Sequence, residues 1–263
     1  MKSVLKYIRI YKAHIAASFD RVVATKLDVV FLVSGKCLRL CLEYAMIAGI
    51  FRFVPSLQGY TCDQVLMFTV TMWIVDLTGQ MFLRKFYWIG DYVRNREFDR
   101  FLSRPLHTIP LLIAGGIDFF DLATLPLVLG IAVVTISRLE GLTAGALLIY
   151  FLWLVIGWIT QFSFFLLGGV VGIFTYESHS YLYIFRQLQR LGSYPMDIYP
   201  RAVQFFFTFI VPLFVIMMLP TKALLGVLEW RIAVGGFLAS MVFLGIVYSL
   251  WRLAIRTYMI RGG

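Results

Sequence analysis

Hydrophobic residues fall along this chain in long blocks rather than in alternation. Apolar stretches lie at about 29–51, 63–83, 109–136, 142–175, 203–219 and 232–251. Each is long enough to cross a bilayer core as a helix, which takes roughly 17–25 residues. The pattern predicts six crossings. Residues 1–27 differ. Lys2, Lys6, Arg9, Lys12, Arg21 and Lys26 interrupt every apolar run, while Val4, Ile8, Tyr11, Ile15 and Phe19 recur every three to four residues. That spacing puts an apolar stripe opposite a basic one, so the segment is expected to lie as an amphipathic helix at the membrane surface. It has no continuous apolar core of the kind a cleaved signal peptide carries. The expected fold is an all-α membrane protein in which residues 1–263 form one transmembrane domain.

Composition agrees. The 263 residues are 60% hydrophobic and only 14% charged, far from the balance of a soluble domain. The apolar content excludes disorder, and Cys37, Cys41 and Cys62 are too few for a disulfide scaffold and form no CxxC or Cys/His cluster. The net charge of +10 reads as orientation within a membrane rather than as affinity for nucleic acid. With the N-terminus inside, eighteen Lys and Arg fall on inner segments and four (Arg52, Arg138, Lys222 and Arg231) on outer ones. Both termini are therefore expected in the cytoplasm. The inner count includes Arg186, Arg190 and Arg201, taken to lie in an inner loop between the fourth and fifth crossings.

No GxxxxGK[ST], GxSxG or HExxH occurs, and His14, His107 and His179 are far apart. Nucleotide, nucleophile and metal chemistry are thus not expected from this chain. Gly90-Asp91 lacks the preceding glycine of an intramembrane aspartyl protease. Charges inside the crossings each cost about 2.5–3.5 kcal/mol and need a reason. They are Lys36, Arg39 and Glu43 in the first, Asp76 (with Gln80 a turn on) in the second, and Asp118 and Asp121 in the third. Arg39 and Glu43 are four apart and can pair on one face. The others mark either a polar cavity or charge-neutralised packing. Lys36 and Asp76 each stand seven residues from the inner ends of their helices, about 10 Å deep, and are expected to pair. Gly168 and Gly172 form a GxxxG expected to serve packing within the chain.

Two connections stand out. Residues 220–231, with Ala223, Leu224, Leu225, Val227 and Leu228 beside Trp230, are expected to form a short re-entrant or interfacial helix at the outer face. The inner loop 84–108 carries Val93, Phe98, Phe101 and Leu102 at helical spacing among charges of both signs, and Pro105 ends the pattern. This suits an interfacial helix with snorkelling arginines, or a docking helix for a soluble partner.

The string REFDRFLSRPLH (96–107) resembles the inner-loop signature GxxDxxLxRPL of type-2 ATP-binding cassette permeases. LGSYPMDIYP (191–200), the IVP ending at Pro212 and LPTKALLG (219–226) resemble the same family's downstream order of YP, IVP, P and LLG. One departure is visible: Arg96 stands where the family has glycine. The resemblance implies the permease subunit of an exporter in a bacterial cytoplasmic membrane, non-catalytic itself. It would pair with a second permease copy or a sibling, and with ATPase subunits that bind ATP and Mg. Asp91, Arg94, Arg96, Glu97, Phe98, Asp99, Phe101, Leu102 and Arg104 would form the coupling helix, and residues 1–27 the connecting helix. An intramembrane enzyme, or an ion-coupled secondary carrier using Asp76 or Asp118, are the alternatives.

Overall fold

The computed structural model describes residues 26–103, 107–114 and 119–260. The surface helix expected before residue 26, Arg104 and Asp118 lie outside them. The described residues form helices and no strand: α1 (Lys26–Ile50), α2 (Cys62–Leu83), a 3₁₀ turn (Arg84–Trp88), α3 (Ile89–Arg94), α4 (Asp99–Leu102), α5 (Thr108–Ala114), α6 (Phe119–Ser137), α7 (Ala144–Thr175), α8 (His179–Gln189), α9 (Arg201–Phe205) running into a π turn (Phe206–Ile210), α10 (Leu213–Leu224) and α11 (Trp230–Ile260).

Local chemistry sets several of these ends. The Thr61 amide donates to Gln64 Oε1 at 3.0 Å and opens α2. Thr143 Oγ1 accepts from the Ala146 amide and opens α7. At its far end α7 closes on Tyr176 in the left-handed region (φ 61°), whose amide donates to the Gly172 carbonyl. At 1.5 Å per residue, α7 and α11, with 32 and 31 residues, are each about 47 Å long. Both overrun a hydrocarbon core of about 30 Å.

Packing centres on α2, α7 and α10. Every residue of α10 is buried. A methyl group at Gly157 of α7 would stand 2.5 Å from the Ile216 carbonyl oxygen, so glycine there lets the two backbones touch. The GxxxG glycines are used within the chain too: a methyl at Gly172 would meet the Gly90 amide and Ser178, both at 2.9 Å. By contrast α1, the N-terminal half of α7 and most of α11 leave large apolar side chains exposed, among them Phe31, Phe151, Phe237 and Ile246. In a lipid solvent those faces are at no disadvantage.

Three helical stretches (62–94, 144–175 and 230–260) are by themselves long and apolar enough to cross a membrane, and 201–224 is a pair bent by 104°. The chain is thus a multi-pass, all-α membrane protein, but two expectations about its second half fail. First, 220–231 is not a helix of its own. Its helical residues belong to α10 and α11, and Gly226 turns between them at φ 69°. The break falls earlier, at Val211-Pro212, because Pro212 has no amide to donate and disfavours a helical residue before it.

Second, Arg186 and Arg190 do not sit in a loop confined to one end of the bundle. His179 Nε2 lies 3.1 Å from Asp91 Oδ2, beyond the Leu83 end of α2. Arg186 reaches Asp76, Thr69 Oγ1 donates to the Ser193 carbonyl, and Tyr60 donates to Asp197 at the Cys62 end. Residues 179–197 therefore climb the whole length of α2 in the reverse direction. Their short polar-flanked helix hides this from a hydropathy count.

Candidate functional site

Two groups of polar residues stand out, one at each level of that climb. The lower group is built on the 3₁₀ turn, α3 and α4, where the chain leaves α2. Gly90 is a contact point: its amide donates to Ser178 Oγ at 3.1 Å, and a methyl there would fall 2.6 Å from the Tyr176 carbonyl. Ser178 Oγ in turn donates to the Tyr87 carbonyl. Asp91 faces His179, whose ring stands edge-on to Trp88 at 4.7 Å. Arg94 donates to the Tyr176 carbonyl at 3.0 Å and lies within 4 Å of Asp91 and Glu177. Neutral and charged bonds together tie α3 to the turn between α7 and α8.

The next segment is held from the other side by α11. Phe98 is fully buried, edge-on to Trp251 at 6.4 Å and to Tyr258 at 5.4 Å. Tyr258 donates to Asp99 Oδ1 at 2.9 Å. Phe101 and Leu102 are partly buried against the same core. Phe98 thus cannot be the residue a partner grips, because its ring is spent on the chain's own interior. What faces outward is polar: Arg94, Asn95, Arg96, Asp99 and Arg100 are exposed, while Asp91 and Glu97 are half-buried. An open recess of about 360 Å³ runs beside it, lined by Arg94, Arg96, Phe174, Tyr176 and Tyr258.

Arg96 adopts φ 57°, a region glycine enters freely and other residues reach at a cost of about 1–2 kcal/mol. The glycine of the inner-loop signature is explained by this turn, and Arg96 keeps the turn despite its side chain. The Glu97 and Phe98 amides both reach back to the Tyr92 carbonyl, at 2.7 and 3.0 Å, and hold it.

The upper group lies within the bundle. Arg39 Nε donates to Glu43 Oε1 at 2.8 Å, as the spacing predicts, and Trp73 Nε1 donates to the other Glu43 oxygen at 2.6 Å. Lys36 pairs with Asp121, and Asp76 with Arg186 at 3.0 Å. The expected Lys36–Asp76 pair does not form. α6 packs broadly on α2 and its Asp121 pairs with Lys36 of α1, while Asp76 pairs with Arg186 of α8. Sequence reasoning missed His179, Ser178 and Arg186 as partners. The available signal was the apolar face of 179–189, where Leu182, Phe185 and Gln189 are buried a turn apart.

Long apolar helices, charges paired within the bundle and a braced polar surface at one end describe a multi-pass membrane domain. The chain belongs to the ABC-2 family of transporter proteins, whose sequence profile matches residues 38–262. A search of curated proteins finds no match. Membership makes it a membrane component of an ATP-binding cassette transporter.

Proposed function

We propose that this chain is the permease subunit of an exporter, forms half of the translocation path with a second permease, and docks ATPase subunits through residues 91–103. Nucleotide and Mg belong to those partners, and both termini face the cytoplasm of a bacterial cell whose inner membrane holds the protein. One observation carries the docking role: an exposed mixed-charge surface is braced at its back by three different helices. A partner that pushes on Arg94–Arg100 moves α3 and α4. Asp91–His179 passes that motion to the foot of α8, and Phe98 with Asp99 passes it to α11. Because α8 is a rigid element, displacement at His179 reaches Arg186, seven residues or about 10 Å higher.

Charge reversal tests this without touching the core. Arg96→Glu and Arg100→Glu together should leave the thermal stability of the isolated permease within about 0.5 kcal/mol, as surface changes do. They should abolish co-purification with the ATPase and permease-stimulated ATP hydrolysis. Wild-type association and stimulation in that double variant would refute the docking surface.

A further inference from the structure

Between α1, α2 and α8 lies a small cavity of about 60 Å³, lined by Arg39, Asp76, Arg186, Gln189 and Arg190 among others. Its walls are not satisfied by the chain. Gln189 is 2% exposed, yet neither its Nε2 nor its Oε1 has a hydrogen-bond partner. Asp76 Oδ1 is equally bare, although Oδ2 is taken by Arg186. Buried amides and carboxylates are ordinarily bonded, and an orphan among them is costly. Three polar atoms without a partner in the chain line one cavity, which suits a polar ligand.

The charges say what kind. Arg39 is balanced by Glu43 and Arg186 by Asp76, while no carboxylate pairs with Arg190 among the described residues. One positive charge is left over. Gln189 Nε2 is a buried donor without an oxygen, the exposed Arg190 guanidinium adds donors beside it, and Asp76 Oδ1 is an acceptor seeking an O–H or N–H. A volume near 60 Å³ is more than a single water needs and leaves room for a small tetrahedral oxyanion.

We propose that this cavity binds a singly charged phosphate-type oxyanion that also carries a hydrogen-bond donor, either as a free phosphate group or as the head of an anionic phospholipid. The reading concerns the permease alone and stands or falls without the ATPase.

The test uses the full chain purified in a non-ionic detergent, unfolded thermally with and without ligand. One arm titrates inorganic phosphate against sodium chloride at equal ionic strength. The other titrates phosphatidylglycerol into the micelles against an uncharged diacyl lipid. At tenfold excess over Kd, binding should raise the midpoint by about 3 °C or more in at least one arm and should saturate. A shift with phosphate identifies a free oxyanion, and a shift with the lipid alone identifies a headgroup. Arg190→Gln should lose the shift. Gln189→Leu should also lose it while raising the midpoint of the ligand-free protein, because it removes an unsatisfied amide. No saturable shift in either arm, or an undiminished shift in both variants, overturns the proposal.

Discussion

Phe98→Ala separates an anchor from a docking residue. The ring is fully buried and meets Trp251 and Tyr258 edge-on. Truncating a buried phenylalanine costs about 3–5 kcal/mol when the cavity cannot collapse. Each edge-on aromatic contact accounts for about 0.5–1.5 kcal/mol beyond its area, so the two rings supply a large part of that loss. In a chain of this size, about 4 kcal/mol corresponds to a midpoint lower by roughly 8–16 °C. The assay is thermal unfolding of the isolated permease in detergent, followed by tryptophan fluorescence, with Trp251 as a reporter beside the deletion. Phe98→Leu keeps most of the volume and should recover more than half of the loss. ATPase association should weaken in Phe98→Ala only as far as the fold does. A midpoint within 2 °C of wild type, with ATPase binding lost, would show that the ring serves the partner and not the core, and the anchor argument would fail.

Two further outcomes follow from the same geometry. Arg96→Gly should stabilise the permease by about 1 kcal/mol, since relief of the left-handed strain (about 1–2 kcal/mol) exceeds glycine's entropic cost; a lower midpoint in the thermal scan would contradict this. Lys36→Met and Asp121→Asn should each cost about 2 kcal/mol and the double variant hardly more, because each single change strands a charge. Lys36→Met with Asp76→Asn should instead be additive within about 0.5 kcal/mol, and strong coupling in that second pair would reverse the assignment of partners.

How far residues speak for the fold depends on which forces act alone. Lipid exposure acts on single segments, so hydropathy located α2 and α7 closely and the start of α11, though not its extension to Ile260, and the i, i+4 spacing was enough for Arg39 and Glu43. The turn at Arg96 was only half legible: the departure from the signature glycine was visible, but not that the position sits at φ 57°. What failed was whatever depends on two segments at once. Residues 179–197 lack the apolar length to announce a climb along α2, yet four bonds to α2 and its flanks fix their course. That climb takes Arg186 out of the supposed inner loop and gives Asp76 its partner, leaving Lys36 to Asp121. One missed segment thus misassigned three charges. Phe98 failed for the opposite reason. Helical spacing of Val93, Phe98, Phe101 and Leu102 shows that one face is apolar but not what covers it, and here the cover is α11 of the same chain rather than a second protein. The surface left for a partner is consequently the charged face, where affinity depends on salt and a reversed arginine acts without disturbing the core.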